Sequence, residues 1–199
     1  RTDVGANLDR LARLDADDRL QTVEADPRNE ADLDDVAFDP TSRTPMFARY
    51  RSTVAQIHGV TQEAVEHLAA IRSRLPDADL RIEVGRGPDA RWLVHDRATT
   101  RKGERLQLYD PATGALQALP IDDSVAYREK PAPALPESAM ARKIAFTYRA
   151  TDGMAIHGFV LLPPGVDASR APLVVHVHGG PFSLFRPEFT GIGQFLANR

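Results

Sequence analysis

The chain has 199 residues, of which 42% are hydrophobic and 27% charged, a composition typical of a globular protein rather than a disordered one. Its net charge of −3 is too small to indicate a nucleic-acid partner or binding to an anionic membrane surface. The lack of cysteine excludes disulfides and cysteine-ligated metals, and no apolar run approaches the ~20 residues that cross a bilayer.

Both ends of the sequence look like cuts. The chain starts at Arg1 without a signal-peptide pattern. It stops within "GIGQFLANR", an amphipathic run of helix formers that no Gly or Pro stop signal follows. We therefore expect an internal piece of a larger protein; the alternative is a small natural protein with frayed ends.

Residues 7–24 fit two structures. Leu8, Leu11 and Leu14 would share one face of a helix, whereas "DRLARLD" and "RLQTVEA" would be two strands around an "ADD" turn. The turn-forming residues of "DADD" favour the hairpin. An acidic loop follows, and "DDVAFDP" and "PMFARYRS" then predict two more short strands.

A helical period replaces the strand pattern over residues 59–75. Thr61 is the predicted N-cap and Pro76 ends the run. The pattern places four apolar side chains on one face of this helix: Val65, Leu68, Ile71 and Leu75.

Residues 79–120 give the clearest β pattern. Four short runs, "DLRIEVG", "RWLVHD", "ERLQLYD" and "ALQALP", are separated by turn formers, and Gly114 permits a tight last turn. Four consecutive antiparallel strands match one blade of a β-propeller. The strands at 7–50 would then belong to the preceding blade, and Trp92 would lie in the blade core.

A domain boundary is predicted at residues 131–140, where three prolines indicate a stiff linker. Residues 1–130 would thus form a mostly β part, and residues 141–199 a second domain. The second part begins with a strand, a "TDG" turn and another strand. The apolar run "PLVVHVHG" predicts a third strand, buried on both faces.

The chemistry of the sequence is concentrated in "HVHGGP". Gly179 and Gly180 lack Cβ atoms, so the backbone can approach a ligand closely. A backbone N–H in such a turn can stabilise the oxyanion of a tetrahedral intermediate. In α/β-hydrolases one such donor lies in a loop of this kind after an early strand.

The stretch from "AFTYRATDGMAIHGFVLLPPG" through "APLVVHVHGGPFS" to "GQFLANR" resembles the start of the catalytic domain of prolyl oligopeptidase family serine peptidases. It is most similar to the acylaminoacyl-peptidase and dipeptidyl-aminopeptidase-like branch. The resemblance implies β-propeller blades joined to the first strands of an α/β-hydrolase domain, a short peptide substrate and no cofactor. It also implies that the N–H of Gly180 is the oxyanion donor, with Gly179 shaping the turn.

No G-x-S-x-G motif occurs in the chain, and Ser183 is read as an ordinary loop residue. The catalytic Ser, Asp and His are therefore expected beyond Arg199, and this piece alone should be inactive. His178 is not read as the catalytic base, because the base follows the nucleophile in the chain order of α/β-hydrolases. The runner-up role for His178 is structural, in which it orients the loop through a ring N–H bond.

Other polar residues receive structural interpretations. His176 and His178 alternate on one predicted strand face without a third ligand, which favours a structural pair over a metal site. His157 is read as an ordinary strand residue. An acidic group lacks the order of a calcium loop and is interpreted as a solvated loop: Asp26, Glu30, Asp32, Asp34 and Asp35.

Two alternatives to the peptidase remain. One is a carboxylesterase or lipase with the same loop, although esterases usually carry helical caps where this chain has a β meander. The other is a non-catalytic propeller module that binds partners. The sequence leaves open the oligomeric state, including a homo-oligomer, and the compartment, whether cytoplasmic, periplasmic or secreted.

Overall fold

A computed structural model describes most of the chain: residues 1–51, 53–87, 89–120, 135–180 and 183–199. The chain forms two compact units. The first contains Arg1–Asp96 and Arg105–Leu119, and the second contains Arg97–Glu104 and Pro120–Arg199. The described part is mostly β, built from antiparallel sheets that remain open. Neither α-helix in it is long and apolar enough to span a membrane.

The N-terminal segment is the predicted hairpin and not a helix. Strand β1 (Leu11–Leu14) pairs antiparallel with β2 (Leu20–Glu24). The carboxylate of Asp15 accepts hydrogen bonds from the backbone N–H groups of Asp17 and Arg19, and Asp18 has a φ of 57°. The aspartates thus close the turn by satisfying its backbone, as the "DADD" pattern predicted.

Strands β3 (Leu33–Phe38), β4 (Pro45–Arg51) and β5 (Ala55–Gly59) form a three-stranded sheet with β4 in the centre. The first two strands confirm the prediction, whereas β5 was not predicted. "AQIHG" is short and runs almost directly into the following helix, so no turn signal separates it. Residues 46–50 of β4 are all buried, which means that both faces of this sheet are covered.

Helix α1 spans Gln62–Arg72, and Thr61 is its N-cap, with the hydroxyl accepting the N–H of Ala64 at 3.1 Å. The cap prediction is confirmed, but the predicted buried face is partly wrong. Ala64 and Ile71 are fully buried, whereas Val65 is 46% exposed. A Cβ on Gly59 would lie 2.4 Å from the Val65 nitrogen, so the first turn packs backbone to backbone and orients Ala64 inwards.

Strands β6 (Asp79–Glu83), β7 (Trp92–Arg97), β8 (Glu104–Asp110) and β9 (Ala115–Leu119) form one sheet in chain order. This confirms the predicted four-strand meander. Gly114 has a φ of 68° and its N–H donates to the carbonyl of Asp110 at 2.8 Å. The last turn therefore uses the freedom of glycine at positive φ, as predicted.

Two apolar clusters lie on opposite sides of the sheet β3–β5. One joins Phe47 of β4 to α1 and to Trp92 of β7, and the Phe47 and Trp92 rings meet edge to face at 5.7 Å. The other joins Ala48 of β4 to Leu11 of β1. Because Phe47 and Ala48 point to opposite faces of β4, the first unit stacks hairpin, sheet and sheet as successive β layers.

The described part of the second unit contains a 3₁₀ turn (Glu137–Ala139), a hairpin of β10 (Arg142–Arg149) and β11 (Ala155–Leu162), and α2 (Gly191–Ala197). The hairpin is confirmed, with Gly153 at a φ of 86° in the "TDG" turn. Of the predicted linker, residues 131–134 lie outside the described residues, as do residues 121–130.

The predicted third strand of the second unit is wrong. Residues 172–180 adopt no strand in the structure, and Leu173 is 84% exposed. A strand buried on both faces needs a hydrogen-bonded neighbour, and no described strand pairs with this segment. Its apolar side chains therefore stay accessible.

Tyr109 of β8 links α1 to the four-stranded sheet through a side-chain hydrogen bond. Its side chain is buried, and its hydroxyl lies 2.9 Å from Nδ1 of His67 in α1. The His67 ring also meets Trp92 edge to face at 4.8 Å. Burial raises the pKa of Tyr109, which favours the neutral phenol.

The Tyr109→Phe variant should lower the free energy of unfolding by about 1 kcal/mol, because a buried hydrogen bond is lost without a change in ring packing. Trp92, the single tryptophan of the chain, reports on this unit by its fluorescence during urea denaturation. The matched control is Tyr148→Phe in β10, where the ring is 54% exposed. Equal unfolding curves for the two variants would contradict the role of the Tyr109 hydroxyl.

The Glu24→Gln variant should raise the melting temperature at pH 7 and lose this advantage at pH 4. Burial raises the pKa of Glu24, and the nearby His58 lowers it by less. An acid with a raised folded-state pKa destabilises the fold once it ionises, and the cost disappears below its unfolded-state pKa. The control is Glu66→Gln at an exposed position of α1. A pH-independent effect of Glu24→Gln would refute this explanation.

Candidate functional site

The two candidate glycines lie at the end of an open, extended segment. Gly179 and Gly180 are exposed, and a Cβ built on Gly179 would meet no atom within 4 Å. Among the described residues, neither backbone N–H has an acceptor. The structure thus leaves room for a ligand oxygen at this backbone, while residues 181–182 of the motif lie outside the described part.

Two histidines precede the glycines and share one aromatic neighbour. The rings of His176 and His178 meet Phe185 edge to face, with centroids 5.1 and 5.8 Å away. Nδ1 of His178 lies 2.8 Å from the carbonyl oxygen of Gly179, which fits the ring N–H bond expected from the sequence. No cluster of three or more potential metal ligands occurs in the described ranges.

Lys143 of β10 binds the backbone of the segment that follows Phe185. Its Nζ donates to the carbonyl of Arg186 at 3.1 Å and also to the carbonyl of Glu188. The N–H of Glu188 donates to the same Arg186 carbonyl at 2.8 Å, which closes a tight turn. Burial lowers the pKa of Lys143, and the Glu188 carboxylate opposes that shift.

Gln194 connects α2 to the start of the hairpin. Its side chain is buried, and its amide bonds to both backbone groups of Ala141, accepting the N–H at 2.8 Å and donating to the carbonyl at 2.9 Å. The neighbouring Gly193 has no room for a Cβ, which would approach Leu161 of β11 to 2.8 Å. The helix is therefore packed closely against the hairpin.

Sequence reasoning recognised Gln194 only as a helix former and gave no role to Lys143. The available signal for Gln194 was its position between a glycine and apolar residues in a short amphipathic helix. An amide buried in such a place needs hydrogen-bond partners. Lys143 carried no comparable signal, because its acceptors are carbonyl groups more than forty positions away.

The remaining candidates lie apart from the glycines or serve the fold. His157 pairs across the hairpin with Thr147, with 2.9 Å between Nδ1 and the hydroxyl, as an ordinary strand residue does. Trp92 lies in the core of the first unit, and its place in a propeller blade stays a prediction. Ser183 is exposed and adopts no regular structure.

The acidic group is not a solvated loop throughout. Asp26 is only 8% exposed, and its carboxylate accepts three backbone N–H groups, from Arg28, Glu30 and Ala31. Asp34 binds Arg49 of β4 at 2.7 Å. These carboxylates are used to fix a turn and to join strands, because burial requires a partner for each charge.

Comparison with known proteins gives no family assignment. No protein-family model matches the chain, and no curated protein matches it.

The Gln194→Ala variant should lower the free energy of unfolding of the second unit by about 2 kcal/mol or more, since it leaves two buried backbone groups unpaired. Hydrogen exchange at the Ala141 amide measures the loss directly. The control is Ile192→Ala on the exposed side of the same helix. Unchanged protection of the Ala141 amide in the Gln194 variant would contradict this role.

Proposed function

We propose that the chain is part of a serine peptidase of the prolyl oligopeptidase type that hydrolyses short peptides. The observation that carries the proposal is the accessible Gly179–Gly180 backbone in an HGGP motif, between a β-hairpin and α2. The stretch of sequence that resembles the start of such catalytic domains has the same order: a hairpin, the glycine loop and a helix.

In the proposed reaction, a serine located beyond Arg199 attacks the carbonyl carbon of a peptide bond, and a histidine takes the serine proton. The carbonyl oxygen becomes an oxyanion and accepts the N–H of Gly180. The histidine then gives its proton to the leaving amine, and water hydrolyses the acyl-enzyme in the same way. Gly179 allows the close approach of the backbone, since it carries no side chain there.

We further propose that residues 79–119 form one blade of a β-propeller and that the sheet β3–β5 with the hairpin β1–β2 belongs to preceding blades. The successive β layers and the chain-order meander of the first unit support this assignment. The restriction to short peptides is what the resemblance to this family implies. β layers instead of helical caps favour the peptidase over the esterase.

The test is to purify the intact protein from its native source, determine its mass and label it with a fluorophosphonate probe. We expect a mass well above the 21.9 kDa of the chain and one labelled serine C-terminal to Arg199. Turnover of aminoacyl and acyl-peptide substrates in preference to simple esters would support the peptidase.

The matched control is the isolated 199-residue chain, which should remain unlabelled because it contains no nucleophile elbow. A native mass near 21.9 kDa without labelling would overturn the hydrolase and favour the non-catalytic module. Preference for esters over every peptide in the panel would replace the peptidase with an esterase.

A further inference from the structure

Lys143 lies within the β10–β11 hairpin and yet bonds to the segment that leaves the glycine loop. Its side chain is half-buried, with Nζ 5.3 Å from the centre of the Phe159 ring of β11. From there it donates to the carbonyl groups of Arg186 and Glu188. A compact ammonium with three donors can serve two carbonyl acceptors at once.

The contact continues towards the glycines through Phe185. This residue directly precedes the turn that Lys143 holds, and its ring lies against the rings of His176 and His178. His178 in turn bonds to the carbonyl of Gly179. A continuous series of contacts therefore leads from Nζ of Lys143 to the backbone beside Gly180.

We infer that Lys143 is a positioning residue for the glycine loop, acting through the turn at Arg186 and the ring of Phe185. The inference rests on the proposed function, since it assigns Lys143 to the geometry of the Gly180 N–H. An oxyanion donor acts mainly in the transition state, so a displaced N–H lowers kcat and leaves KM nearly unchanged.

The experiment compares Lys143→Gln with Arg142→Gln in the intact enzyme. Arg142 is the exposed neighbour of Lys143 in β10, so the control changes the same charge at an adjacent position. We expect a decrease in kcat of about tenfold or more for Lys143→Gln, below the ~10²–10³ typical of a lost donor. KM should stay within about twofold, and Lys143→Arg, which keeps a charged donor, should recover part of kcat.

Phe185→Leu is the second variant, and it tests the inference if Lys143→Gln does not fold. It removes the ring between the turn and the histidines, so the same selective loss of kcat is expected. A kcat equal to that of the control, or a parallel change in kcat and KM, would overturn the inference. Failure of the wild-type enzyme to hydrolyse peptides or take up the probe would instead overturn the proposed function.

Discussion

The packing of aromatic rings around Trp92, edge to face for Phe47 and His67 and tilted for Tyr109, is the interaction on which the first unit depends. Phe47 comes from the sheet β3–β5, His67 from α1, and Tyr109 from β8, so one indole joins three elements. Aromatic side chains bury a large area each and prefer edge-on geometry. Besides this contact, the helix packs on the sheet through the buried side chains of Ala64 and Ile71.

The second unit is held by a different kind of contact, because the hairpin β10–β11 and the short α2 bury little apolar area. Hydrogen bonds between side chains and backbone groups hold this unit instead. Gln194 bonds to Ala141, and Lys143 bonds to the turn at Arg186. Such bonds fix position and orientation more strictly than apolar packing does, since they require a defined distance and angle.

Turns and caps that depend on a few adjacent residues were predictable from the sequence. Side-chain orientation and strand pairing that depend on residues outside the element were not. The Asp15 turn, the Thr61 cap and Gly114 each satisfy the backbone within a few residues, so their signals lie inside a short window. Val65 was assigned to the wrong face because Gly59, outside the helix, sets its orientation. The apolar run "PLVVHVHG" predicted a strand, but a strand also needs a pairing partner, which a local pattern does not reveal.

The same segment has a consequence for the handling of the protein. Val174, Val175 and Val177 are each more than 60% exposed and lie in an uncharged, proline-free run. Short β-prone runs of this kind with unpaired backbone are templates for aggregation, since a second copy can supply the missing hydrogen bonds. Self-association through this run would cover the exposed backbone of Gly179 and Gly180, because the two glycines directly follow it in the chain.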